Sequence, residues 1–99
     1  MRYYGEEALG LVETLGLVPA LEAADKMLKA ADVELISYEN VGSTLVTIMV
    51  KGDVAAVRSS VEAGAAAAAA IGKLTAKNVM PRSGLSLKWR SVYETLNSP

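Results

Sequence analysis

The sequence predicts an α/β protein of the α+β kind, with an antiparallel sheet covered on one face by two helices. Three observations support this prediction: four short strand-like segments, two longer segments of helical periodicity between them, and short connections throughout. The chain has 99 residues, which is enough for one compact domain. Its hydrophobic fraction of 52% is high for so small a domain, and this excess indicates contacts with other subunits.

The first strand is predicted at residues 7–14, which read EALGLVET and end at the Leu15-Gly16 break. An amphipathic helix follows, because apolar residues recur at spacings of three and four: Leu17, Ala20, Leu21, Ala24, Met27, Leu28 and Ala31. Pro19 falls in the first turn, where its missing N–H is tolerated. Two acid-before-base pairs four residues apart favour the same helix, namely Glu22 with Lys26 and Asp25 with Lys29.

A β-hairpin is predicted next, from two segments rich in β-branched residues at 33–39 and 45–51. Asp53 is a helix N-cap residue by type and position, and it precedes a second helix at about residues 54–71. The six alanines at 65–70 favour helix and allow close packing, which is a structural role. The last strand, at 74–80, ends before Pro81.

The resulting order is the split β-α-β-β-α-β arrangement of ferredoxin-like folds, with both helices on one face of the antiparallel sheet. Beyond residue 82, apolar residues again share one helical face, which predicts a short C-terminal helix with Trp89, Val92, Tyr93 and Leu96. This apolar stripe needs a cover: it packs either on the same or a neighbouring subunit, or against an encapsulated partner.

The composition excludes most catalytic chemistry. The chain has neither cysteine nor histidine, which removes thiolate nucleophiles, imidazole bases and the usual zinc or haem ligands. Glu7 and Glu13, on one strand, lie roughly 20 Å apart, too far for a cooperating pair. We therefore expect no enzyme activity, no cofactor and no metal site.

Charge and hydropathy bear on partners and location. The formal net charge of −1 gives no basic excess to attract nucleic acid or an anionic membrane. No uninterrupted apolar run approaches the ~20 residues of a membrane span, and the first residues have no basic segment followed by an apolar core. The expected location is the cytoplasm.

The hairpin loop at residues 40–44, Asn-Val-Gly-Ser-Thr, has two interpretations. It is an ordinary connection, or a glycine-containing loop whose backbone and hydroxyl groups meet a ligand. It lacks the glycine-rich phosphate-binding signatures. The basic residues are scattered along the chain, which is typical of solvated surface charge.

Three long segments together resemble the single-domain, hexamer-forming shell proteins of bacterial microcompartments, the BMC-domain class. They read EALGLVETLGLVPALEAADKMLKAADVEL, then ISYENVGSTLVTIMVKGDVAAVRSSVEAGAAAAAAIG, then NVMPR, and they cover about residues 7–82. The resemblance divides the chain into an N-terminal extension at 1–6, a shell domain at 7–82 and a C-terminal tail at 83–99.

The resemblance implies a homohexamer that tiles edge to edge into a shell layer, beside other shell proteins and around encapsulated enzymes. It places a pore for small polar metabolites on the sixfold axis, lined by Asn40, Val41, Gly42, Ser43 and Thr44. Many relatives carry lysine at the position of Asn40 and glycine at that of Thr44. Six neutral groups in place of six cations imply a weaker attraction for anions, and Thr44 implies a narrower opening.

The resemblance also implies contacts between hexamers at Lys29, Asp32 and Arg82. Asp32 replaces the asparagine or arginine common at its position, so the added carboxylate either pairs with Lys29 or repels a facing copy. An alternative function from another class is a small-molecule-sensing regulatory domain of ferredoxin-like fold, built as a dimer or trimer with ligand clefts between subunits.

Overall fold

The computed structural model describes residues 7–41 and 44–81, with backbone only for 37–41. The element order is β1 (Ala8–Leu15), α1 (Leu17–Ala30), β2 (Glu34–Val41), β3 (Leu45–Gly52), α2 (Val54–Ile71) and β4 (Lys73–Met80). The four strands form one sheet in the order β2-β3-β1-β4, and every pairing is antiparallel. The predicted fold class is therefore confirmed, while the predicted C-terminal helix lies outside the described residues.

Strand β2 is longer than predicted. The backbone of Asn40 and Val41, which we expected in the hairpin loop, pairs with Val46 and Leu45 of β3. The antiparallel pairing continues two residues beyond the β-branched segment, because backbone N–H and C=O groups pair whatever the side chain. The connection between the two strands is therefore shorter than predicted.

The main core lies between the helices and one face of the sheet. Because successive strand residues point to opposite faces, alternate residues of β1 and β3 meet the buried faces of α1 and α2. The fully enclosed members are Ala8, Val12, Ala20, Ala23, Met27, Val46, Ile48, Val50, Val57, Val61 and Ala68. Burial of about eleven apolar side chains, at roughly 25 cal/mol per Å² of apolar area, is the main term that holds the domain together.

The two helices approach closely because α2 carries small residues where it crosses α1. A Cβ atom added at Gly64 would collide with the Met27 side chain and come within 3.2 Å of the Ala23 carbonyl oxygen. Two members of the predicted alanine run, Ala65 and Ala68, are buried, and Ala66 and Ala69 are exposed. The structural role predicted for the alanines is therefore confirmed for the helix face that packs inward.

A second apolar cluster occupies the opposite face of the sheet. It consists of Leu9, Leu11, Met49 and Met80, with Ile36 packed beside them. Leu9 is 0% exposed and Met49 is 1% exposed. Both faces of the sheet therefore exclude water from their apolar residues, which explains why β1 reads as a nearly continuous hydrophobic segment.

Candidate functional site

The predicted site residues lie at two opposite ends of the domain, separated by the length of the strands. At one end, called the loop end, β1 finishes, the β2–β3 hairpin closes and β4 begins. At the other, called the rim end, β1 and β2 begin, β3 and β4 finish, α1 ends and α2 starts. An eight-residue strand rises about 26 Å, so these ends are on opposite sides of the domain.

The hairpin is fixed to the β1–α1 turn at the loop end. The Gly16 N–H donates a hydrogen bond to the Thr44 carbonyl at 2.6 Å. The buried Thr14 Oγ1 donates to the Gly16 carbonyl at 2.9 Å. Gly16 has φ 94°, a left-handed conformation that glycine adopts without strain, so the turn depends on this residue.

The structure brings three of the five predicted loop residues to this end. Asn40 and Val41 lie in the last positions of β2 by backbone, and Thr44 is exposed directly after the turn. Gly42 and Ser43 lie outside the described residues. The described ends of the hairpin connection, Val41 and Thr44, therefore lie at the same end of the domain as the β1–α1 turn.

Exposed apolar side chains are concentrated at the loop end. Five of the eight exposed large hydrophobic residues of the described chain lie here, and we call them the apolar collar: Leu15, Leu17, Val18, Leu21 and Ile71. Val18 is 70% exposed. Contiguous exposed apolar residues on a small domain are typical of a protein–protein contact surface.

The rim end carries two of the three predicted edge residues. Lys29 lies in the last turn of α1, and Asp32 is exposed in the connection to β2. Lys29 Nζ is 3.2 Å from Asp25 Oδ2, and Lys26 Nζ is 3.8 Å from Glu22 Oε1. Both predicted helical pairs are confirmed, so within its own subunit Lys29 pairs with Asp25 and not with Asp32. Arg82 lies outside the described residues.

An acidic concavity of about 510 Å³ opens at the rim end. It is lined by Glu7, Asp32, Val33, Glu34, Lys51, Gly52, Asp53 and Ala56. Lys51 is only 14% exposed by side chain, and its Nζ lies 3.6 Å from carboxylate oxygens of both Glu7 and Glu34. The sequence alone did not predict this feature, because its carboxylates are far apart along the chain: Glu7 precedes β1, Asp32 and Glu34 lie just before and at the start of β2, and Asp53 follows β3. Only the sheet register brings them together.

A polar group on the non-helical face of the sheet was also missed. Glu13 accepts hydrogen bonds from Thr75 Oγ1 at 2.8 Å and from Thr47 Oγ1 at 3.4 Å. A register shift between Glu13 and Thr14 allows Thr75 to reach the carboxylate. The two hydroxyl donors hold this side chain in place about 10 Å from the β1–α1 turn, by strand rise.

Within residues 7–41 and 44–81, no three His, Cys, Asp or Glu side chains are grouped to hold a metal ion. One helix among the described residues, α2, is long and apolar enough to cross a membrane by length and composition. Its buried residues belong to the core between the helices and the sheet, which accounts for its apolar composition.

Comparison with known proteins shows which family the chain resembles. The BMC domain model matches residues 8–83. The chain is 56% identical over 77 residues to the bacterial microcompartment shell protein PduA of Citrobacter freundii, covering 78% of this chain and 83% of the relative. It is 53% identical to the shell protein EutM of Salmonella typhimurium, covering 77% and 79%.

The similarity extends to a carboxysome protein and to a solved structure. The carboxysome shell protein CsoS1A of Hydrogenovibrio crunogenus is 51% identical, covering 76% of this chain and 79% of the relative. A crystal structure of a microcompartment protein from Desulfitobacterium hafniense superposes with a TM-score of 0.74 and 32% identity. That alignment covers 94% of this chain and 49% of the longer protein, so this chain spans about half of its length. The chain belongs to the BMC domain family.

Proposed function

We propose that this chain is a structural shell protein of a bacterial microcompartment in the cytoplasm. Six copies close around an axis at the loop end, and the resulting hexamers tile into a layer through their rim ends. The observation that carries the proposal is the 51–56% identity to shell proteins over 76–78% of this chain and 79–83% of each relative. The role is structural and selective, and the chain itself carries out no chemical conversion.

The apolar collar supports closure around the loop end. In an isolated subunit these side chains face water, and the free-energy cost rises in proportion to the apolar area that is exposed. A ring of subunits that meet near the axis would cover the collar of each copy with its neighbour, as heterologous contacts in closed rings do. The collar lies at the same end of the domain as the hairpin, so the same closure would bring the six hairpins together.

The pore proposal assigns the hairpin residues Asn40, Val41, Gly42, Ser43 and Thr44 to its lining. Amide, hydroxyl and backbone groups present donors and acceptors to solutes without fixed charge. Such a lining favours the passage of small polar metabolites over that of apolar, volatile compounds.

The proposed contacts between hexamers use Lys29, Asp32 and Arg82 at the rim end. The proposed shell domain spans residues 7–82, with an extension at 1–6 before it and a tail at 83–99 after it.

The relatives give no support to the alternative of a small-molecule-sensing regulatory domain, since those compared above are shell components. Association with other shell proteins follows from a shared layer. Association with encapsulated enzymes stays a prediction.

The proposal is tested by the assembly state of the purified full chain. We expect hexamers by light scattering after size exclusion, and hexagonally ordered sheets or tubes by electron microscopy at high concentration. Discrete dimers or trimers that never form sheets would contradict it. Val18→Asp is expected to reduce hexamers to smaller species, because it buries a charge in the collar contact.

Val54→Asp is the matched control. Val54 is 38% exposed and begins α2 at the rim end, where an acidic residue suits the helix start. We expect this variant to remain hexameric. If both variants lose hexamers to the same extent, the collar is not the surface that joins the subunits.

A further inference from the structure

The second apolar cluster is enclosed, although α1 and α2 both lie on the other face of the sheet. Its members Leu9, Leu11, Met49 and Met80 are 0%, 8%, 1% and 6% exposed. Side chains stand roughly perpendicular to a sheet, so those on an uncovered face keep their tips in solvent. Within residues 7–41 and 44–81, no helix or second sheet lies over this cluster. Its cover therefore comes from another segment.

The cover is confined to the half of the face that adjoins the rim end. Successive residues of β1 alternate between the two faces, so Leu15 lies on the same face as Leu9 and Leu11. Leu15 is nevertheless 48% exposed. Glu13, between Leu11 and Leu15 on this face, is half-buried and bonded to threonine hydroxyl groups. The covering segment therefore lies near the rim end and stops before the loop end.

The C-terminal tail leaves the sheet at this place. Strand β4 finishes at the rim end with Met80, which is itself a member of the cluster, and Pro81 follows. The tail at 83–99 therefore begins within a few residues of the surface to be covered, and a short connection is enough. The extension at 1–6 also adjoins the rim end, but its large apolar side chains are only Met1, Tyr3 and Tyr4.

The apolar stripe of the tail matches the cluster in extent. With Ile36 packed beside it, the cluster crosses all four strands from β2 to Met80 on β4, which is about 14 Å at ~4.8 Å between strands. From Trp89 to Leu96 a helix rises about 11 Å, and the side chains at its two ends extend this reach. One face of the predicted C-terminal helix therefore spans the cluster when the helix crosses the strands.

We propose that the tail at 83–99 covers this half of the non-helical sheet face in its own subunit. The stripe of Trp89, Val92, Tyr93 and Leu96 packs against the second apolar cluster. The exposed fractions above are those of a single chain, so the cover requires neither a neighbouring subunit nor a partner protein. The stripe then belongs to the core of the subunit and is not free to bind an encapsulated enzyme.

Methyl labelling of the methionines in the full chain tests this packing by nuclear magnetic resonance. Met49 and Met80 belong to the second apolar cluster, whereas Met27 lies in the main core on the other face and is the internal control. Trp89 is the only tryptophan of the chain, so Trp89→Leu removes its ring current and keeps an apolar side chain. We expect the methyl resonances of Met49 and Met80 to shift and that of Met27 to stay.

Ser91→Ala is the matched control within the tail. Position 91 lies on the opposite side of the predicted helix from the stripe, since two residues correspond to about 200° of rotation. We expect this variant to leave all three methionine resonances unchanged. Unchanged Met49 and Met80 resonances in Trp89→Leu would overturn the proposal, and a shift in Tyr4→Leu would then assign the cover to the extension at 1–6.

A mixing experiment distinguishes the tail of the same subunit from that of a neighbour. Labelled Trp89→Leu chains are refolded together with an excess of unlabelled original chains. If each tail covers its own subunit, the labelled methyl groups keep their shifted resonances. A return to the original resonances would assign the cover to a neighbouring subunit's tail and overturn the proposal. Absence of hexamers in the original chain would overturn the proposed function alone, because the Trp89→Leu comparison does not require them.

Discussion

At the scale of single residues, buried polar groups and small residues decide how closely the two helices pack. Ser60 is fully buried, and its Oγ donates a hydrogen bond to the Met27 carbonyl at 3.0 Å. This bond joins α2 to α1 at a point where the Met27 side chain also fills the core. Gly64, one turn further along α2, faces the same residue of α1.

Ser60→Ala is expected to lower the free energy of unfolding by about 1–2 kcal/mol, because a buried hydrogen bond is lost and the Met27 carbonyl loses this donor. Ser59→Ala is the matched control on the same helix, since Ser59 is exposed. Its effect should stay within about 0.5 kcal/mol. Urea denaturation of both variants measures the difference, and equal stabilities would contradict the assigned hydrogen bond.

Gly64→Ala is expected to destabilise the fold by about 1–3 kcal/mol although alanine is the better helix former. The added methyl group meets the Met27 Sδ at 2.8 Å and the Ala23 carbonyl oxygen at 3.2 Å, so the helices must separate. Thermal unfolding measures the change. A stabilised variant would show that helix propensity outweighs the overpacking.

At the scale of elements, the start of α2 is set by one side chain. Asp53 Oδ2 accepts a hydrogen bond from the Ala55 N–H at 3.2 Å, which confirms the predicted N-cap. The helix begins and ends at the predicted residues, 54 and 71. A capping residue satisfies an N–H group that has no partner within the helix, so its type can be recognised from the sequence.

Asp53→Ala is expected to reduce stability by about 1 kcal/mol, and Asp53→Ser to restore most of it, because serine also caps helices. Denaturant unfolding monitored by circular dichroism gives the values. If serine behaves like alanine, the contribution of Asp53 comes from its charge at the rim end and not from capping.

At the scale of the whole molecule, the proposed pore unites six copies of one short hairpin. A change at one residue is therefore repeated six times around the axis, and fixed charges at equal distances add their potentials. This multiplication is the reason that we expect a single neutral residue, Asn40, to affect the selectivity of the proposed pore. The same reasoning makes Thr44 relevant to the width of the opening.

Asn40→Lys is expected to raise the permeability of hexamers to small anions several-fold relative to neutral solutes of similar size, and most strongly below about 50 mM salt. Conductance of single hexamers in a planar bilayer, or solute flux into assembled shells, provides the measurement. Lys26→Glu, on the exposed face of α1, serves as a control for a charge change away from the loop end. Unchanged anion selectivity would reject the charge argument.

Thr44→Gly is expected to increase conductance without a change in charge selectivity, because it removes six side chains beside the opening and alters no charge. The Gly16 hydrogen bond uses the backbone carbonyl of residue 44, so this change preserves it. Equal conductance of the variant and the original chain would place Thr44 away from the narrowest point.

The sequence by itself determined the order of elements, the amphipathic helix α1, the bounds of α2 and its cap, and the family resemblance. These features depend on near neighbours along the chain: apolar periodicity, capping residues and turn glycines are local signals. The pairs Glu22–Lys26 and Asp25–Lys29 were predictable for the same reason, since residues four apart meet on any helix.

Only the tertiary structure decided which distant residues meet. The sheet register brings Glu7 and Glu34 to Lys51 and holds Glu13 between Thr47 and Thr75. It also extends β2 to Val41. The path of the chain collects the apolar collar at the loop end. A register depends on the summed packing of both sheet faces, and a shift by one residue would exchange those faces, so no local pattern encodes these contacts.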